Sequence, residues 1–132
     1  MPSSPPQAVL GDWQLVHGHG PEGVVVVPEG HQVTLTVDAQ GWSGSAGCNR
    51  YHGNIEVEGD RLTVRAVAVT AMMCPDPAVM AAEAAYLAAF SRVTAWSLTA
   101  ETDVEAATET AGDLLVLNGP GAQLGFRASA AP

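Results

Sequence analysis

Glycine and proline interrupt this chain so often that only one stretch can run for several helical turns. The 132 residues include 14 glycines and 9 prolines, which suits many short strands joined by tight turns. The exception is the alanine-rich stretch Ala78 to Phe90, made of strong helix formers. Asp76 is a good N-cap, and Pro77 stands at the first helical position, where proline is tolerated. A helix is therefore predicted over residues 76–91. Advancing about 100° per residue places Val79, Met80, Tyr86, Leu87 and Phe90 on one stripe. Glu83 falls near the middle of that stripe. A carboxylate there cannot be buried bare and must be paired, hydrogen-bonded or protonated. Asn49 and Arg50, in a glycine-rich turn, are the candidate partners, so Glu83 is expected to lock the helix onto that turn.

The remainder reads as β-structure. Trp13 and Leu15 alternate with polar neighbours. Val24 to Val27 forms a short apolar run. Val33-Thr34-Leu35-Thr36-Val37 is the cleanest period-two segment, with three apolar side chains on one face and two threonines on the other. Asp38 to Gly41 reads as a turn, and Trp42 opens the next strand. Ile55 and Val57 lead through Gly59-Asp60 to Leu62 and Val64, a hairpin pattern. Val93 to Leu98, then Leu115 with Leu117, then Leu124 with Phe126 after Asn118-Gly119-Pro120-Gly121, supply the last strands. The sum is about eight strands and one helix, mostly β in class, as a barrel or strongly curved sheet. Residues 1–9 read as a loose proline-rich arm, residues 10–128 as the single domain, and residues 129–132 as a tail. Residues 100–112, without apolar period, read as a long, exposed and mobile loop.

Charge limits the partners. Fourteen acidic residues face five arginines, a net charge of -9. Such a surface repels phosphate backbones and anionic membranes, so nucleic acid is excluded as a partner class. No apolar run approaches the roughly 20 residues needed to span a bilayer. The first residues show no basic region followed by an apolar one. The chain reads as cytoplasmic if Met1 is native, and as an envelope or secreted protein if a leader was removed.

No catalytic constellation emerges. Gly41-Trp42-Ser43-Gly44 and Gly44-Ser45-Ala46-Gly47 lie between predicted strands and do not form a nucleophile elbow. Glu56 and Glu58 read as the solvated face of a hairpin, not as a glycosidase pair. His17, His19, His31 and His52 are scattered through glycine-rich segments, while a zinc site needs three or four convergent ligands. No metal and no cofactor is expected. Cys48 and Cys74 are the only cysteines. In an oxidising compartment they can close a loop of about 26 residues, stabilising by about 3 kcal/mol in the chain-entropy model. In a cytosol they remain buried thiols, and a redox role stays open, though no Cys-x-x-Cys spacing supports it. Trp13, Trp42 and Trp96 are large aromatic anchors of the core. In a barrel open at one end they could instead line an apolar ligand pocket.

Three segments resemble the META domain family, whose familiar bacterial members are the HslJ heat-inducible proteins. Gly44-Ser45-Ala46-Gly47-Cys48-Asn49-Arg50-Tyr51, with Gly53, resembles the family's G-x-x-G-C-N-R-[YF]-x-G. Thr70-Ala71-Met72-Met73-Cys74 resembles T-x-M-x-C, with alanine where a basic residue is frequent. Glu83, Tyr86, Leu87 and Phe90 match the helix pattern E-x-x-[YF]-L-x-x-[LF]. The resemblance implies a β-barrel with one packed helix, no known catalytic activity, and links to heat shock and novobiocin tolerance. It makes Gly47, Cys48, Asn49, Arg50, Tyr51, Gly53, Thr70, Met72, Cys74 and Glu83 a structural motif. The chain is thus expected to be a monomeric, non-enzymatic stress-tolerance or cell-envelope interaction module. Its partner is an unidentified protein or a small apolar ligand. The rival expectation is a carrier holding a lipid or small apolar ligand in the barrel.

Overall fold

In the computed structural model, which describes residues 9–38, 41–72, 74–100 and 113–128, the period-two segments become strands of one antiparallel sheet. They run β1 (Gly11–Gly20), β2 (Gly23–Val24), β3 (Thr34–Asp38), β4 (Gly41–Ser45), β5 (Arg50–Glu58) and β6 (Arg61–Val69). The helix α1 (Pro77–Phe90) follows, then β7 (Ala95–Ala100), β8 (Asp113–Gly119) and β9 (Ala122–Ala128). Strands β1, β3, β4, β5, β6, β7, β8 and β9 pair in that order, and β1 also pairs with β9. The sheet therefore closes into an eight-stranded barrel. The two-residue β2 is a stub on the end of β1, where His19 meets Val24 and Gly20 meets Gly23.

Alternation explains which side chains fill the barrel. Val33, Leu35, Val37 and Trp42 point inward, as do Leu115, Leu117, Leu124 and Phe126, all buried. Eight strands enclose an interior just wide enough for side chains to fill. Bulges in β1 between Leu15 and His17, and in β6 at Arg65 opposite Asn54/Ile55, add local bend and twist where the sheet curves.

Several expectations need correction. The run Val24 to Val27 is a strand only at Val24; beyond it Val25 turns its side chain inward while Val24 and Val26 stay exposed. Val9, placed in the flexible arm, is fully buried, and its carbonyl accepts the Trp13 indole N–H at 2.9 Å. Residues 1–8, residues 101–112 of the predicted loop, and the tail 129–132 lie outside the described residues.

The helix has the predicted start. Asp76 caps it, its carboxylate accepting the Ala78 N–H at 2.9 Å. Its buried face differs from the predicted stripe. Val79, Ala82, Glu83, Ala85, Tyr86, Ala89 and Phe90 are buried, while Met80 and Leu87 are only half-buried. The reason is close approach. Ala89 packs directly on Gly20, where even a methyl group would collide with the helix. The small side chains thus bring the helix onto β1, and the buried face rotates toward them. Tyr51, Tyr86 and Phe90 form an edge-to-face and stacked cluster, with centroids 5.3 to 5.8 Å apart. Phe126 extends it from β9.

Candidate functional site

The motif residues converge where α1 meets the turn between β4 and β5. Gly47 takes φ +122°, a conformation open to glycine, with Val79 and Glu83 of the helix directly over it. This turn aims two backbone N–H groups at the helix. Glu83 Oε1 accepts from the Cys48 N–H at 3.1 Å and the Asn49 N–H at 2.7 Å. Its Oε2 accepts from Asn49 Nδ2 at 2.8 Å. The buried carboxylate is therefore satisfied by the turn itself. Glu83 holds the helix to this turn, but Arg50 takes no part: its guanidinium is exposed and makes no hydrogen bond or ion pair among the described residues. Three N–H donors supply what a buried cation would otherwise have to supply.

Asn49 carries the network onward. Its Nδ2 also donates to the Met72 carbonyl at 3.0 Å, and its Oδ1 accepts from Thr70 Oγ1 at 2.8 Å and the Met72 N–H at 2.6 Å. All four hydrogen-bonding positions of this amide are thereby used. The result ties the β4–β5 turn, the segment after β6 and the helix into one clasp. Cys48 and Cys74 add a covalent link, a disulfide with Cα atoms 6.1 Å apart. Met72 contributes backbone groups only, since its side chain is exposed. Thr70 accepts the Arg50 N–H at 3.1 Å, and its own N–H donates to the Arg50 carbonyl at 3.0 Å. The backbone of Arg50 is thus fixed while its side chain remains free.

Below the clasp, Tyr51 donates its hydroxyl to the Thr34 carbonyl at 2.7 Å. That leaves Tyr86 as the donor in the 2.5 Å contact between the two tyrosine hydroxyls. Burial pushes the titration of Tyr51 well above the usual tyrosine range, against the opposing pull of the Tyr86 hydrogen bond. Tyr86 is raised too, by burial first and then by the neighbouring Tyr51. Gly53 allows the edge of Phe90 to sit over its backbone.

The three tryptophans do not share a pocket. Trp42 is buried in the filled interior, and its indole N–H meets no acceptor among the described residues. Trp13 is buried beside Val9. Trp96 is half-buried at the far hairpin, donating to the Gly59 carbonyl at 2.8 Å. Two described hollows lie on the outside instead, and no tryptophan lines either one. One, about 450 Å³, separates the alanine face of α1 from Val24, Val26 and Pro28. The other, about 350 Å³, lies on the outer wall of β4, β5 and β6 beside Arg50. Its lining includes Ala68, which the sequence does not single out, and Ser43 and His52, which the sequence raises only as a nucleophile and a metal ligand. Period two puts Ser43 and His52 outside between buried neighbours, but only the pairing register sets them side by side. His17 and His19 are both exposed on β1. Among the described residues no group of three or more potential metal ligands exists. None of the described helices is long and apolar enough to cross a membrane. Glu56 pairs with Arg65 at 3.0 Å on the exposed hairpin, as a solvated face does.

An eight-stranded antiparallel barrel, sealed by one helix through a glutamate and a Cys-Asn turn, defines the class of protein. The META domain family matches residues 7–130, nearly the whole chain, and the chain belongs to that family. A solved structure described as the NMR structure of the protein from Burkholderia xenovorans shares the fold. Its TM-score is 0.69 at 24% sequence identity, and the match covers 99% of this chain and 92% of that one. A comparison with curated proteins finds no significant match.

Proposed function

We propose that this protein is a non-enzymatic interaction module of stress tolerance or the cell envelope, working through its outer surface. The observation that supports this reading most directly is the filled barrel. Trp42, Leu35, Leu115, Leu117, Leu124 and Phe126 are each at most 1% exposed and occupy the interior that a carrier would keep open. The motif residues that a catalytic reading would recruit are committed elsewhere. Glu83, Asn49 and Thr70 spend their polar atoms within this network and on neighbouring backbone groups, and the two cysteines are bonded together. A rigid scaffold with recognition on its exterior is what such an arrangement serves.

The carrier reading, with a lipid or small apolar ligand in the barrel, has less support for the same reason. Native mass spectrometry of the purified protein, with lipid extraction in parallel, separates the two. The expected spectrum shows the polypeptide mass alone, and affinity capture then recovers a protein partner. A stoichiometric lipid released on extraction would replace the module reading with the carrier. Heat and novobiocin challenge of cells lacking this protein tests the physiological part, with lower survival expected.

A further inference from the structure

We infer that the hollow beside Arg50 on the outer wall of β4–β6 is a binding site for a small organic carboxylate with an apolar body. The register makes the site. Ser43 on β4, His52 on β5 and Ala68 on β6 are direct cross-strand partners and form one row across the sheet. Arg50 stands two residues before His52 on the same face of β5, about 7 Å along the strand. The side chains of Ser43, Arg50 and His52 have no partner among the described residues, so three polar groups border one hollow unspent. Ala68 keeps the floor shallow and apolar, and Val69, 39% exposed, adds an apolar rim.

Charge selects the ligand. The chain carries 14 acidic residues and five arginines, yet no carboxylate lines this hollow and one of the arginines does. A guanidinium matches a carboxylate through two parallel N–H donors. The net charge of -9 works against multiply charged anions. Repulsion grows with the ligand's charge, so a singly charged carboxylate meets less of it than a multiply charged anion. The volume of about 350 Å³ is at the lower end of small-molecule sites. It accommodates a compact apolar body over Ala68 while the carboxylate meets Arg50.

The clasp pre-positions this arginine. Thr70 holds the Arg50 backbone through both its N–H and its carbonyl, and is itself held by Asn49. The network that anchors the helix thus also fixes the root of the binding side chain, which lowers the ordering cost of capture. The site stands whether or not the protein also has a macromolecular partner.

Titration of the full chain with benzoate, followed by amide chemical shifts, tests the inference. The expected result is saturable shifts at His52, Ala68 and Thr70. Arg50→Gln should weaken binding about tenfold, the loss of one charge-assisted pair. Ala68→Leu should abolish it by filling the floor, without touching the arginine. Arg61→Gln, on another part of the barrel, should change nothing. Benzamide, the neutral analogue, should produce no saturable shift, and inorganic phosphate should bind more weakly than benzoate. Equal binding of benzamide or phosphate overturns the inference. So does unchanged affinity in Ala68→Leu, a surface variant whose folding is checked by its melting temperature.

Discussion

The barrel is held shut very differently at two places. At the clasp, one glutamate, one asparagine, one threonine and a disulfide join elements more than 20 residues apart in sequence. At the seam between β6 and β7, a single residue pair, Arg61 with Ala95, closes the sheet. Two hydrogen bonds make that pair: the Leu62 N–H donates to the Thr94 carbonyl at 2.8 Å, and the Trp96 N–H to the Asp60 carbonyl at 3.0 Å. Beyond Arg61, β6 pairs with β5 alone. The comparison teaches that closing a barrel does not require equal pairing at every strand. A side-chain lock at one site can hold a cage whose backbone ladder is thin at another.

Removing the clasp carboxylate should have the largest effect. Glu83→Ala leaves the buried Asn49 N–H, the half-buried Cys48 N–H and the Asn49 amide without their acceptor. A loss of about 3–5 kcal/mol is expected, the range for breaking a buried polar network, read by denaturant unfolding. Glu83→Gln sharpens the point. It keeps one acceptor oxygen but turns an amide NH2 donor toward the donor Asn49 Nδ2, so it should fall between wild type and Glu83→Ala. A wild-type melting temperature for Glu83→Ala would show that the clasp does not carry the fold.

Opening the disulfide should come next. Cys48→Ser with Cys74→Ser frees a loop of 26 residues, with an expected cost of about 3 kcal/mol. The hydrogen bonds of Asn49 remain, so a folded but less stable protein is expected in thermal unfolding.

The tyrosine pair beneath the clasp should contribute less. Tyr86→Phe removes one hydroxyl bond, a loss of about 1 kcal/mol. The pair also predicts a pH dependence. Both hydroxyls titrate above the ordinary value of 10.0 in the folded protein. The unfolded chain therefore releases its protons first. The contribution of the pair is intact below about pH 10 and is lost as pH climbs toward the raised folded values. Tyr86→Phe should flatten that alkaline decline, measured by unfolding at a series of pH values.

The seam should show the smallest change in stability and the largest in local opening. Trp96→Phe removes the indole bond to Gly59, with an expected cost of about 1 kcal/mol or less. Amides of β6 beyond Leu62 that point away from β5 should exchange faster than those between β1 and β9, and faster still in this variant. Equal protection around the barrel would dissolve the contrast between the two closures.

Much of this arrangement was legible beforehand. The period-two segments around Leu35, Trp42 and Leu117 yield the strands, because one face of each must leave water. Asp76 and Pro77 mark the helix start through local chemistry alone. Glu83 announces a partner, since a carboxylate on an apolar face needs one. Its partner was less legible. Arg50 is the obvious choice by charge, yet backbone N–H groups and the Asn49 amide do the work, and no residue pattern displays the direction of a turn's N–H groups. Val9 reads as part of a proline-rich arm, but its burial depends on Trp13, four residues on, and on the core it packs against. Met80 and Leu87 looked central to the helix face, but Ala89 on Gly20 sets the helix's rotation.

By itself the sequence determined the β-rich class, the single helix and its cap, the residues that must be inside, and the need to satisfy one buried acid. These follow from alternation, propensity and desolvation, which act over a few neighbouring residues. Tertiary structure alone decided which strands close the barrel, how thin the β6–β7 seam is, what Glu83 binds, and that Ser43, Arg50 and His52 border one hollow. Those outcomes depend on strand register and on contacts across tens of residues, where a shift of one position would send every side chain to the opposite face.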